Sequence, residues 1–170
     1  LMKQLTLLSL FALAAFARAE TTITLNGVHN CCRGCANGIT KAAADFKDVT
    51  VTPAGKKVTI TTKKKSDAKK VAEAIIAAGY YGTIEGDESA AKKPATASKP
   101  ESKVAKATVS GVHLCCQKCA DAATDAVKAV AGVTKYDIVS KAESFTVEGE
   151  FAKADLVAAL NSAGFAGDIK

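Results

Sequence analysis

The chain of 170 residues contains one pattern twice. An offset of 84 residues places residues 27–35 on residues 111–119, and an offset of 85 places residues 78–82 on residues 163–167. The first pair of segments both read Gly-Val-His-x-Cys-Cys-x-x-Cys, and together they contain all six cysteines and both histidines. A duplication of this extent predicts two modules of one fold, each carrying a thiol-rich loop.

Residues 1–19 are expected to be removed before the protein folds. They contain Lys3, an apolar run up to Ala17 and an Ala-Arg-Ala ending, which is the pattern of a secretory signal peptide. The run is shorter than the roughly 20 apolar residues that span a membrane, so no membrane span is expected after cleavage. The sequence therefore predicts a periplasmic or secreted protein.

A flexible linker is predicted between the modules at residues 86–106. This segment has Pro94, Pro100 and a single β-branched apolar residue, Val104, so it cannot bury enough apolar surface to fold. The expected organisation is a signal peptide at 1–19, a first domain at 20–85, the linker at 86–106 and a second domain at 107–170.

Hydrophobic periodicity predicts the order βαββαβ in both modules. In the first module, strands are expected at 22–27, 49–52, 58–61 and 80–85, and helices at 34–46 and from an N-cap at Ser66-Asp67 to a stop at Gly79. In the second, strands are expected near 108–112, 135–139 and 144–148, and helices near 120–130 and 152–163. The fold class is α+β: two ferredoxin-like sandwiches in tandem.

The cysteines lie at the turn from the first strand into the first helix of each module. Cys35 and Cys119 are expected in the first helical turn, where free backbone N–H groups and the helix dipole favour thiolate over thiol. Two thiolates three residues apart can converge on one soft ion such as Cu(I). The predicted clamps are Cys32 with Cys35 and Cys116 with Cys119, while Cys31 and Cys115 are candidates for a third sulfur.

These features resemble the heavy-metal-associated domain family, the ferredoxin-like modules of copper chaperones, of metal-pump tails and of the periplasmic mercury-scavenging protein. The resemblance implies that Cys32, Cys35, Cys116 and Cys119 are metal ligands. It also implies that the aromatic residues Tyr80 and Phe165 lie beside the metal loops.

The sequence departs from the family phrase Gly-Met-x-Cys-x-x-Cys. Val28 and Val112 replace the methionine, and the loop has one additional residue before the Cys-x-x-Cys pair. The additional His29 and His113 are candidate ligands for a borderline ion such as Zn(II).

The leading hypothesis is a non-enzymatic, exported metal-binding protein for carriage or scavenging, with one ion in each module. Its cargo is Cu(I), Hg(II) or Zn(II)/Cd(II), with Cu(I) favoured, and a metal-transporting protein is a candidate partner. Whether the two modules share an ion stays open. The lysines are dispersed and tryptophan is absent, so nucleic-acid binding is not indicated.

Two other function classes compete with metal binding. One is a thiol-disulfide oxidoreductase that uses Cys-x-x-Cys, with Cys31 or Cys115 as a resolving thiol. Enzymes of the thioredoxin type, however, have a cis-proline opposite the cysteines, and the second module has no proline. The other class is a structural or adhesive tandem protein whose thiols cross-link chains.

Overall fold

A computed structural model describes residues 20–86 and 103–170 of the chain. The predicted signal peptide and most of the predicted linker lie outside the described residues. Each described module is a four-stranded antiparallel sheet with two helices, in the order βαββαβ. The predicted fold, two ferredoxin-like α+β domains, is therefore correct.

The first module has a sheet with the strand order β2-β3-β1-β4. Its central strands β1 and β3 pair antiparallel, with Ile23 opposite Ile60 and Leu25 opposite Val58. Its elements are β1 Thr21–Asn26, α1 Arg33–Ala42, β2 Val49–Ala54, β3 Lys57–Thr62, α2 Lys65–Ala77 and β4 Thr83–Ile84.

The second module repeats this arrangement with the strand order β6-β7-β5-β8. Its elements are β5 Val104–Ser110, α3 Gln117–Lys128, β6 Val133–Tyr136, β7 Ser144–Phe151, α4 Lys153–Ser162 and β8 Asp168–Ile169. Because β5 begins at Val104, three residues of the segment predicted as linker lie in the sheet. The strand predicted near 135–139 ends earlier, at Tyr136, and Val139 is 59% exposed.

Alternation in the strands buries one face of each sheet under its two helices. In the first module, Leu25 and Ile60 from the sheet are fully buried with Ile39 of α1 and Ile75 of α2. The N-cap predicted at Ser66-Asp67 is wrong: the N-cap of α2 is Lys64, two residues before Ser66, and the helix begins at Lys65. Gly79 ends the helix as predicted, with a φ of 92° that favours glycine.

The two modules contact each other through the segments that follow α2 and α4. Tyr80 and Phe165 form an antiparallel bridge between the modules. The Tyr81 amide donates to the Gly164 carbonyl at 2.9 Å, and the Ala166 amide donates to the Gly79 carbonyl at 3.0 Å. These reciprocal bonds relate the modules by an approximate two-fold axis, and the axis brings their cysteine loops together.

Close packing of backbone requires glycine at both centres of this contact. A Cβ atom on Gly79 would lie 2.4 Å from the Gly111 carbonyl oxygen, and one on Gly164 would lie 2.3 Å from the His29 amide nitrogen. The duplicated glycines therefore end helices within each module and also permit contact between the modules.

Candidate metal centre

Each cysteine loop is held between the buried core and the start of a helix. Val28 and Val112, which stand where the family phrase has methionine, are buried in the core and fix the first half of each loop. Cys32 is the N-cap of α1, and Cys116 is the N-cap of α3. Cys35 and Cys119 therefore lie in the first helical turn, as predicted.

The structure brings all six thiols into a single group, which we call the thiol cluster: Cys31, Cys32, Cys35, Cys115, Cys116 and Cys119. Within the first loop, the Sγ atoms of Cys32 and Cys35 are 3.7 Å apart. Across the interface, Cys35 Sγ lies 3.5 Å from Cys115 Sγ and 3.6 Å from Cys119 Sγ. All six cysteines are free thiols. The expected arrangement of two separate loop sites is thus replaced by one site between the modules.

The cluster has a buried floor and a more accessible rim. Cys35 and Cys119 are fully buried, whereas the other four cysteines are partly exposed. Contact between the two modules covers the helical cysteines and leaves the rim partly accessible. An ion would enter or leave through the rim cysteines or by separation of the modules.

The thiols differ in their acidity for two physical reasons. The amide of Cys35 points towards Cys32 Sγ, without meeting the geometry of a capping hydrogen bond, and it lowers the pKa of Cys32 to about 6. The amide of Cys119 lowers the pKa of Cys116 in the same way.

Burial has the opposite effect elsewhere in the cluster. It raises the pKa of Cys31 to about 12, and it also raises the pKa values of Cys115 and Cys119. The sequence-based expectation of a general thiolate preference is therefore correct for the two N-caps and wrong for these three thiols.

The histidines lie against the opposite module. The His29 ring stacks on Phe165 with a centroid distance of 4.3 Å, and the His113 ring lies 4.5 Å from the Tyr80 ring. Burial lowers the pKa values of both histidines, which favours the neutral rings that can bind metal.

His29 also has a nitrogen available beside the cluster. A ligand nitrogen of His29 and the Sγ atoms of Cys31 and Cys119 all lie within 4.8 Å of one another. Nε2 of His29 is buried without a hydrogen-bond partner among the described residues, so the bond to the Ala163 backbone is assigned to Nδ1. This is the usual outer-shell arrangement of a ligating histidine.

Tyr80 is positioned beside the cluster, and its role was only partly predictable. Its hydroxyl is buried without a partner among the described residues, and burial is the main cause of its raised pKa. The resemblance placed this residue near its own metal loop. Its contact with His113 of the other module could not be predicted, because no sequence signal specified how the modules dock.

Comparison with known proteins supports one part of this description. Residues 106–166, which cover most of the second module, match the family model of the heavy-metal-associated domain. The match covers less than half of the chain, and a tandem pair of such domains stays a prediction. Among curated proteins, no match to the chain was found.

Two solved structures align with most of the chain. The N-terminal soluble domains of Bacillus subtilis CopA align with 18% identity and a TM-score of 0.33, covering 89% of this chain and 95% of that one. The first two RRM domains of the yeast poly(U) binding protein Pub1 align with 9% identity and a TM-score of 0.26, covering 88% and 98%. Both TM-scores are below 0.5, so these alignments carry no functional argument.

Proposed function

We propose that this chain is an exported protein that binds soft metal ions, Cu(I) foremost, between its two modules for carriage or scavenging. The observation that carries the proposal is the convergence of six free thiols. Cys31 Sγ lies 3.6 Å from Cys119 Sγ, although 88 residues separate them in the sequence. Folding and docking have thus gathered every cysteine of the chain at one point.

The donor set decides which ions are favoured. Thiolate sulfur selects soft ions, and Cu(I), Hg(II) and Cd(II) are the cations with the strongest preference for it. Zn(II) binds four thiolate or imidazole ligands, so His29 or His113 could complete a zinc site. Cu(I) is satisfied by two or three sulfurs, whereas Zn(II) takes four ligands, so the close trios of sulfur atoms favour Cu(I).

Metal analysis of the full chain tests the proposal. Reduced protein is loaded anaerobically with Cu(I) or, in separate samples, with Hg(II), Zn(II) or Cd(II), then desalted and analysed by inductively coupled plasma mass spectrometry. We expect retained copper in the wild type and loss of at least nine-tenths of it when Cys32, Cys35, Cys116 and Cys119 are replaced by serine. Val139→Ser, a change at an exposed site outside the cluster, is the matched control, and circular dichroism verifies folding. A wild type that retains no Cu(I), Hg(II), Zn(II) or Cd(II) would refute the proposal.

An insulin-reduction assay on the same proteins separates metal binding from thiol-disulfide exchange. An oxidoreductase would pass electrons to a disulfide substrate such as insulin while holding little metal, with Cys32 as the attacking thiolate. We expect no insulin reduction above that of the four-serine variant.

Export is the second part of the proposal. It is supported by the signal-peptide pattern of residues 1–19. In the part of the chain that the structure describes, no helix has the length and apolar character needed to cross a membrane. Intact-mass measurement of the protein from its native source should give a chain that begins at Glu20, and a retained N-terminus would contradict this part.

A further inference from the structure

The six sulfur atoms have a regular arrangement. Cys35 Sγ lies 3.5 to 3.9 Å from the sulfurs of Cys31, Cys32, Cys115 and Cys119. Cys116 Sγ lies 3.6 to 3.9 Å from those of Cys31, Cys32 and Cys119 and within 4.8 Å of that of Cys115. These two atoms therefore cap opposite sides of a ring formed by the other four sulfurs.

Three edges of the ring are 3.6 Å long, and the fourth is within 4.8 Å. Cys119 Sγ lies 3.6 Å from both Cys31 Sγ and Cys115 Sγ, Cys32 Sγ lies 3.6 Å from Cys115 Sγ, and Cys31 and Cys32 lie within 4.8 Å. A ring of four with two caps is an octahedron. Among the described thiols, no short separation is found between the opposed corners, which are Cys31 and Cys115, Cys32 and Cys119, and Cys35 and Cys116.

The triangular faces of this octahedron have the size of a three-coordinate metal site. In the faces Cys32–Cys35–Cys115 and Cys31–Cys35–Cys119, edges of 3.5 to 3.9 Å put the centre about 2.0–2.3 Å from the three sulfurs, close to a metal–sulfur bond of about 2.3 Å. Ions in adjacent faces would be only about 1.7 Å apart, whereas ions in alternate faces would be about 2.5 Å apart. Four alternate faces can therefore be filled together.

One such set of faces mixes the two modules. Each face is a trio of sulfur atoms. In three of the trios all sulfur–sulfur distances are within 4.8 Å, and in the fourth they are 3.6 to 3.9 Å. The trios are Cys31–Cys32–Cys116, Cys32–Cys35–Cys115, Cys115–Cys116–Cys119 and Cys31–Cys35–Cys119. Each sulfur belongs to two trios, so each thiolate would bridge two ions.

Other ways of filling the cluster fit less well. A single ion at the centre would be about 2.6 Å from all six sulfurs, too far for bonds of about 2.3 Å. Two tetrahedral Zn(II) ions sharing two bridging sulfurs would hold their terminal sulfur pairs apart. Here every sulfur has only one distant counterpart, which matches an octahedron and not two joined tetrahedra.

We infer that the two modules together bind one cluster of four Cu(I) ions and six bridging thiolates, instead of one ion in each module. This inference rests on the proposed function. Loading breaks the S–H bonds of the thiols that are still protonated, releases those protons to the buffer and forms three Cu–S bonds to each ion, with no change in oxidation state. The resulting core has a net double negative charge.

Native mass spectrometry of the reduced full chain tests the stoichiometry. The protein is titrated anaerobically with Cu(I) as its acetonitrile complex. We expect the metal-free and four-copper species to dominate at intermediate loading, with a mass shift of four coppers less four protons, because each Cu(I) replaces one proton in an ion of the same charge. X-ray absorption should give three sulfurs around each copper and a copper neighbour. Two independently bound ions, without a copper neighbour, would overturn the cluster and leave the proposed function intact. No bound copper would overturn both.

Variants that alter docking, and leave every cysteine in place, test the contribution of both modules. The double variant Gly79→Ala/Gly164→Ala puts Cβ atoms within 2.4 Å of the opposite module's backbone. We expect at least a tenfold loss of the four-copper species and retention of up to one ion in each module. Gly55→Ala is the matched control, because Gly55 also has a positive φ but has nothing within 4 Å of its Cβ position.

Retention of the four-copper species by the double variant would overturn the requirement for docked modules. Circular dichroism verifies that the variant folds. If it does not fold, the stoichiometry and X-ray absorption of the wild type decide the inference.

Discussion

Alkylation of adjacent cysteines gives a direct test of the electrostatics described for the thiol cluster. The pKa of Cys32 is lowered to about 6 by the Cys35 amide, and the pKa of Cys31 is raised to about 12 by burial. At pH 7, about nine-tenths of Cys32 is therefore thiolate, compared with about one part in 10⁵ of Cys31. Only the thiolate reacts with an alkylating reagent.

The difference in rate is smaller than the difference in ionisation. Intrinsic nucleophilicity falls with pKa with a Brønsted coefficient of about 0.5, so a gap of six pKa units lowers the reactivity of the Cys32 thiolate about 10³-fold relative to that of Cys31. The net expectation is that Cys32 reacts about 10²-fold faster than Cys31 at pH 7. Its rate should fall as the pH is lowered through about 6, because protonation removes the nucleophile.

The assay uses reduced, metal-free full chain and a limiting amount of iodoacetamide between pH 5 and pH 8. Tandem mass spectrometry assigns the label to each cysteine. Cys116 serves as an internal repeat, because its pKa is lowered by the equivalent amide. Protein unfolded in urea is the control, in which Cys31 and Cys32 should react at similar rates. Equal rates in the folded protein would refute the assigned pKa pattern.

Three further predictions concern stability. Ile60→Ala removes a fully buried side chain and should lower the free energy of unfolding by about 2–5 kcal/mol in urea, whereas Val139→Ala at an exposed site should change it by less than about 0.5 kcal/mol; equal effects would contradict the described core. Tyr80→Phe removes a buried hydroxyl that has no partner among the described residues, so the melting temperature and the free energy of unfolding of the metal-free protein should stay constant or rise. A fall of more than about 1 kcal/mol in the free energy of unfolding would indicate that the hydroxyl is hydrogen-bonded. Lys63→Ala breaks a 3.0 Å ion pair with Asp48 whose side chains are 48% and 61% exposed, so its cost should be below about 1 kcal/mol by the same measurement; a larger cost would show an additional role for Lys63.

The fold was predictable because its signals are local. Alternation around Ile23 and Ile60 indicated strands with one buried face, and the spacing from Cys35 to Ile39 indicated a helix. Each of these patterns lies within one module, and its apolar residues lie on the buried face of their strand or helix. The start of α2 was not predictable from local sequence, because Lys64 caps the helix without a side-chain hydrogen bond, whereas Ser66 is a more typical capping residue.

The joint site was less predictable because it depends on contacts between modules. Gly79 and Gly164 signalled helix ends, but nothing in their local sequence indicated that each backbone packs against the opposite cysteine loop. The same contacts bury Cys119, and burial raises its pKa against the effect of the helix start. Local sequence therefore predicted where the thiols lie along the chain, whereas docking determines which thiols meet and how acidic they are.

The raised pKa values are compatible with metal binding and explain how a cluster of this kind is held in its metal-free state. Thiolates 3.6 Å apart, such as Cys31 with Cys119, would repel strongly, and burial raises the pKa of both, so these two cysteines stay protonated and neutral when no ion is present. A bound cation supplies the missing positive charge and replaces the protons, which makes loading pH-dependent. Cys32 and Cys116, already acidic and partly exposed, are the sulfurs best suited to take the first ion from solution. Because both modules lie on one chain, the second set of thiols is then present at a high effective concentration, and closing the cluster needs no encounter with another molecule.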